Sequence, residues 1–152
     1  MKTYIGYLTL STPHGDIEEH YTLTAKEESE GADVTFEIFV YGNDFEGRGH
    51  DLEWADAFAS LQKSLPKGFA LKCCRACRYG HDCPYGALPN TVFCSHGAEV
   101  KNKSELADFI CGKDEGEIIH SAFDVCENFA PADKDHYTYS DYLYYLEGEK
   151  DG

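Results

Sequence analysis

The residues most able to do chemistry are cysteines. Cys73, Cys74, Cys77, Cys83 and Cys94 lie within one short stretch, KCCRACRYGHDCPYGALPNTVFC, and Cys111 and Cys126 follow. Two thiolates two residues apart grip one side of a tetrahedral ion from a single tight turn, and two more from elsewhere close it. Cys74-Arg-Ala-Cys77 has that spacing. Cys73 offers a competing frame at a less typical spacing, and adjacent cysteines on an extended chain point apart. The candidates for a second pair are Cys83, Cys94, Cys111, Cys126, His81, His96 and His120. Cys94 follows Val92-Phe93 and would enter from a strand. Cys126 stands before Phe129 and Pro131, which could shield the ion and stiffen the exit. Cys83, in a turn near Cys77, is the main rival, and Cys111 reads as a buried small hydrophobe. A structural zinc ion is expected; unliganded thiols, a disulfide and a redox pair are the competing readings.

Catalytic zinc would keep one position open and pair it with a base. His81-Asp82 and Cys94-Ser95-His96 supply suitable atoms, but four thiolates leave no opening. A non-catalytic protein is therefore expected, with a zinc hydrolase the lesser alternative. The glycine-rich run Gly42-Asn43-Asp44-Phe45-Glu46-Gly47-Arg48-Gly49 lacks a following Lys-Ser/Thr and is no phosphate loop. It reads as part of a polar linker over 42–50.

The elements that must carry these residues follow from periodicity. Residues 3–10 alternate, with Tyr4, Leu8 and Leu10 on one face and Ile5, Tyr7 and Thr9 on the other. A turn at Thr12 to Asp16, a strand over 17–24, a reversal at 26–32, and Val34, Phe36, Ile38 and Val40 at period two complete a three-stranded antiparallel meander. Phe39 and Tyr41 suggest that its second face is also partly covered. Over 51–65 the period changes: Leu52, Trp54, Ala57, Phe58, Leu61 and Leu65 make one helical stripe, with Asp51 as cap and Pro66 and Gly68 as stop. Trp54, Phe58, Leu61 and Leu65 should meet Val34, Phe36, Ile38 and Val40. Residues 69–72 form a short strand into the cysteines. Asn102-Lys-Ser-Glu105 has the form of a capping box before a helix carrying Leu106, Phe109 and Ile110, stopped by Gly112. Tyr142, Leu143, Tyr145 and Leu146 fit a helical face, and 147–152 reads as a frayed acidic end.

Composition bounds the function. Lys plus Arg number 13 against 28 Asp plus Glu, a formal charge of −15, and 11 Tyr and 9 Phe stand beside one Trp. Such a field repels phosphate, disfavouring nucleic acid, and speeds encounter with basic proteins. Tyrosine suits half-buried strands and contact surfaces. The opening run reads as a strand rather than a cleaved leader, and no stretch is long enough to span a membrane. Seven cysteines and no export pattern point to reduced thiols and a cytoplasmic protein.

The run EWADAFASLQKSLPKGFALKCCRAC, the Pro-Tyr-Gly turn and the late Cys126-Glu-Asn-Phe129 together resemble a bacterial family of small zinc-binding proteins similar to the immunity proteins of polymorphic toxin systems. The resemblance covers about residues 45–131 and is densest over 61–94. It implies zinc on Cys74, Cys77, Cys94 and Cys126, with Cys83 departing from the pattern, and a protein partner of the basic-toxin kind, covered by an acidic surface. A zinc-stabilised structural or adaptor domain is the alternative. The expected fold is α+β: one domain with a β-β-β-α-β core over 1–72, a zinc-stapled, loop-rich cysteine segment over 73–131, and a Tyr-rich acidic tail over 132–152.

Overall fold

The computed structural model describes residues 1–148 except 30, 52–53, 86–89, 114 and 134. Four long antiparallel strands form a meander: β1 (Lys2–Thr12), β2 (Gly15–Glu28), β3 (Gly31–Val40) and β4 (Asn43–Gly49). Helix α1 (Ala55–Ser64) follows, then the two-residue β5 (Ala70–Leu71), which pairs with the far side of β1. The sheet order is β4-β3-β2-β1-β5. A smaller sheet joins β6 (Gly80–His81), β7 (Thr91–Cys94) and β8 (Ile119–Ser121), accompanied by α2 (Lys103–Cys111), α3 (Glu115–Ile118) and α4 (Asp141–Gly148). No helix among the described residues is long and apolar enough to cross a membrane.

The strands form because alternation supplies one apolar face. Leu8, Leu10, Leu23, Val34, Phe36, Ile38 and Val40 are buried on it, and Trp54, Phe58, Leu61 and Leu65 come down from the helical segment to meet them. Phe36 and Phe58 pack edge to face with centroids 4.9 Å apart, and Phe123, from the second half, stacks on Tyr21 at 4.2 Å. Each such large side chain contributes roughly 1.5–3 kcal/mol by leaving water. Tyr142 of α4 is buried in the same core, so the tyrosine-rich tail is helical and docked. A second small core joins Phe93, Leu106, Ile110 and Ile118. Asn102 caps α2 as expected: its Oδ1 accepts from the Glu105 amide at 2.9 Å.

Several expectations change. The glycine-rich stretch is not a linker but β4, paired with β3 from Val34↔Gly49 to Val40↔Asn43. Its inward positions are Phe45, Gly47 and Gly49, a period of two written partly in glycine. A Cβ on Gly47 would stand 2.5 Å from the Ala57 carbonyl oxygen and press on the Leu61 backbone, so the missing side chains let α1 lie backbone-close against β4. The helix starts later than expected. Asp51 does not cap it; Trp54 occupies the N-cap with φ 60 and no side-chain cap, while the Asp56 carboxylate accepts from the amides of His50 (2.6 Å) and Asp51 (3.1 Å). Leu52 lies outside the described residues, as do residues 149–152 of the expected frayed end. The second face of the large sheet is open rather than covered.

The close β4–α1 approach makes a direct prediction. Gly47→Ala should destabilise the protein by about 3 kcal/mol, the upper end of the range for overpacking, because the obstacle is backbone rather than a movable side chain. A urea midpoint unchanged from wild type would show that α1 does not sit against this strand.

Candidate functional site

The cysteine segment is a 3-10 turn, Cys74–Ala76, set between β5 and β6. Its backbone is sewn to a distant part of the chain. The Cys74 amide donates to the Asp124 carbonyl (2.7 Å), Arg75 to Ala122 (3.0 Å) and Arg78 to Ala130 (2.8 Å), while Ala132 donates back to Ala76 (3.0 Å). Cys77 bridges Pro131, and Gly80 pairs with Cys94 across β6 and β7. A Cβ on Gly80 would collide with the Cys74 carbonyl, so only glycine permits this fold-back. The segment holding Cys126 is thereby brought to the turn, as is the strand end holding Cys94.

The four cysteines expected to bind zinc therefore share a neighbourhood, close enough for Cys77 and Cys126 to act on the Cys74 and Cys94 thiols. Burial pushes the Cys74 thiol up to about 12, with Cys73, Cys77, Asp124 and Cys126 adding to the shift. Cys94 is raised, first by burial and then by Cys77 and Cys126. Cys73, fully buried, is raised to about 11 by burial, although the Ala76 and Arg75 amides pull the other way. The neighbourhood is not a ligand shell. Among the described residues, no group of three or more His, Cys, Asp or Glu side chains is placed to hold a metal ion. This overturns the zinc cofactor expected on Cys74, Cys77, Cys94 and Cys126, and with it the zinc-stapled second half of the expected fold. The physical reasons are visible in the turn. Its amides go mainly to carbonyl oxygens. The set also runs from interior to surface, with Cys74 and Cys77 buried, Cys94 half-buried and Cys126 exposed. The second half is held instead by backbone pairing, its small core and buried polar contacts.

The rival positions are scattered. Cys83 is half-buried, and its sulfur accepts from the Tyr85 amide at 3.4 Å. Cys111 is exposed rather than buried, 3.4 Å from the Tyr85 hydroxyl. His96 packs its ring edge-on against Tyr79 at 5.0 Å. His120 lines a surface cavity of about 400 Å³ together with His96, Cys94 and Cys126.

The interior polar cluster was not legible as such. Arg75, inside the Cys-x-x-Cys turn, is fully buried and forms an ion pair with Asp82, its guanidinium also lying 5.9 Å over the Phe58 ring. Next to it, His81 is enclosed. Its Nδ1 accepts from the Tyr139 amide at 3.0 Å, so Nε2 carries the hydrogen and donates to Ser95 Oγ at 2.8 Å. Both ring nitrogens are thus engaged in holding β6, β7 and the 137–140 segment together. A similar arrangement stands nearer the surface, where His136 Nδ1 meets Asp133 (2.8 Å) and Nε2 meets Arg78 (3.0 Å).

The other candidate site is the outward face of the large sheet. Ile5, Tyr7 and Phe39 are 73%, 57% and 55% exposed on it, while Tyr41, 60% exposed in the turn after β3, sets its ring edge-on to Phe69 at 6.0 Å. Register places Tyr7 opposite His20, ring centroids 4.2 Å apart, and Phe39 opposite Asp44. Glu37 faces Glu46 directly, a like-charge pairing that weakens a sheet. Arg48 answers Glu46 (2.9 Å), whereas Glu18, Glu37 and Asp44 have no ion-pair partner among the described residues. Tyr41 holds φ 49 beside Gly42 at φ 83 in the two-residue turn between β3 and β4. Such a turn favours Asn or Gly, so a tyrosine there is a strained choice. The alternation of residues 3–10 and 33–41 marks this face in the sequence, but alternation does not encode whether the second face is covered.

The His81 environment predicts a pH dependence. Burial lowers its pKa to about 4 from an ordinary 6.5. The neutral ring is the bound form, so its contribution is complete above about pH 6.5 and is lost as pH falls towards 4, by about 3 kcal/mol in all. Urea midpoints measured from pH 7 to 4 should fall accordingly. The variant His81→Gln should be less stable at pH 7 and show a shallower fall; an equal fall in both proteins would remove His81 as the cause.

No protein-family model, curated protein or solved structure matches this chain. With no metal-binding group among the described residues, that overturns the resemblance to the zinc-binding, immunity-like family, and the immunity and zinc-stabilised roles lose their support. The features that carried the resemblance are an amphipathic helix, a proline turn and a two-residue cysteine spacing. Here the helix packs on the large sheet and the cysteine turn fills the interior, while the proline turn runs into residues outside the described ones.

Proposed function

We propose that this chain is a non-catalytic binding module for a basic protein, and that it binds through the outward face of its large sheet. The observation that carries this reading is the group Ile5, Tyr7 and Phe39, all more than half exposed on one face and set among carboxylates. Large aromatics leave water at low entropic cost and make rigid contact area, the usual composition of an interface centre. The surrounding Glu18, Glu37 and Asp44 would meet cations on the partner, and the overall charge of −15 would steer the encounter. That same charge disfavours nucleic acid.

The test is partner capture with matched variants. Tagged wild-type protein should retain a basic protein from its native source, identified by mass spectrometry, and release it as salt rises from about 0.05 to 0.5 M. The double variant Ile5→Ser with Phe39→Ser should lose it, and Tyr144→Ser, at an exposed site on α4, should keep it. Retention by the double variant would sink the reading, as would a bound set equally shared by all three proteins.

A further inference from the structure

We propose that the free edge of β1 accepts an extended segment of a cationic partner as an added strand, an inference that rests on the binding reading above and gives its mode. The edge is open because β5 is so short. β5 pairs with β1 only at Leu10↔Leu71 and Ser11↔Ala70, and the Lys72 amide makes one more bond to the Thr9 carbonyl at 2.9 Å. The chain then turns inward, where Cys73 is buried and the Cys74 amide joins Asp124. Beyond that point, among the described residues, no backbone bond reaches the far side of β1 over residues 2–8.

The phase of the edge is fixed by the Thr9 bond. In an antiparallel pair, the N–H and C=O of one residue point to the same side and alternate residues share that side. Thr9 faces β5, so Tyr7, Ile5 and Thr3 turn their backbone groups to the open edge, while the residues between them bond to β2. Tyr7 and Ile5 also direct their side chains to the uncovered face. An added strand would therefore gain backbone bonds and apolar neighbours together, which is how strand addition obtains affinity and specificity.

The two edges of this sheet are treated differently. β4 is only seven residues long, exposes Asp44, Glu46 and Arg48, and lies under α1 at Gly47 and Gly49. Those are the devices that discourage edge pairing. Residues 3–8 of β1, Thr-Tyr-Ile-Gly-Tyr-Leu, carry no charge and no proline. The occupant follows from the neighbouring strand. β2 exposes Glu18, Glu27 and Glu28, none with an ion-pair partner among the described residues. A second copy would bring two chains of −15 together along this edge, whereas a segment alternating Lys or Arg with apolar residues complements it.

The probe is a short synthetic peptide alternating arginine with valine, its affinity read by fluorescence anisotropy. A control peptide of the same sequence is N-methylated at every second residue, which removes the donors along one edge. Ile5→Pro removes only a donor facing the open edge and leaves the β2 ladder intact, the setting in which strand proline is tolerated. Ile5→Thr keeps the donor. The control peptide, and the arginine–valine peptide against Ile5→Pro, should each bind roughly tenfold or more weakly, matching one to two net hydrogen bonds, with Ile5→Thr, which keeps the donor but gives up apolar contact, weakened less than Ile5→Pro. If Ile5→Pro does not fold by circular dichroism, the two peptides decide the matter on wild-type protein alone. Equal affinity for both peptides overturns strand addition and leaves the binding reading to its capture test. No binding of either peptide overturns strand addition. A dimer in light scattering that Ile5→Pro dissolves overturns the cationic occupant in favour of a second copy.

Discussion

The second half of this protein depends on a buried charge being answered. Arg75 sits fully inside, and a guanidinium in that position would cost several kcal/mol without its counter-charge. Asp82 supplies it, and to do so β6 must return beneath the turn. The same return encloses His81, and the Asp82 amide is tied to the Tyr139 carbonyl at 2.7 Å. The backbone amide of Arg75 meanwhile holds Ala122, next to Phe123, whose ring enters the main core against Tyr21 and Phe36. One residue thus links the turn, the small sheet and the large sheet. The guanidinium over Phe58 adds the helix to that set.

This explains how a cysteine-rich turn can be orderly on grounds other than coordination. The backbone bonds of the turn to Asp124, Ala122, Ala130 and Ala132 fix its shape, and Cys73, Cys74 and Cys77 fill interior space as small apolar groups. Neutral thiols at Cys73 and Cys74 fit such a site, because a thiolate there would be a second buried negative charge near Asp82. The raised pKa of Cys73 and Cys74 and the lowered pKa of His81 express one condition: around the Arg75–Asp82 ion pair, burial disfavours further charge on these three groups.

Periodicity was legible wherever one face of an element is apolar. The meander strands, the helix of Phe58 and Leu61, the Asn102 cap and the helical face of Tyr142 all follow from patterns of two or of three and four. β4 escaped because two of its inward positions are glycine, and a missing side chain carries no hydrophobic signal; only the alternation Phe45, Gly47, Gly49 could have marked it. The cysteine cluster misled for a different reason. Spacing within a turn is shared by metal knuckles and by ordinary 3-10 turns, and what distinguishes them is the direction of the amides and the geometry of the sulfurs, which spacing does not encode. Arg75 and Asp82 are seven residues apart and of types that usually lie in water, so nothing local announces that they are buried together.

The open face and the polar interior divide the molecule's work between its halves. The first half presents apolar and acidic side chains on strands whose positions are fixed by the core beneath them, and rigid strands hold a contact surface better than loops do. The second half, where the residues of richest chemistry lie, spends them on holding itself in place: His81 and Ser95 bond each other, Arg75 and Asp82 neutralise each other, and Arg78, Asp133 and His136 close a third set. A surface that exposes Ile5 and Phe39, opposes Glu37 to Glu46 and strains Tyr41 is not the lowest-energy surface for an isolated sheet. The partner proposed above would relieve the first two by covering the apolar residues and bringing positive charge to the carboxylates, while the strain at Tyr41 belongs to the backbone of the turn.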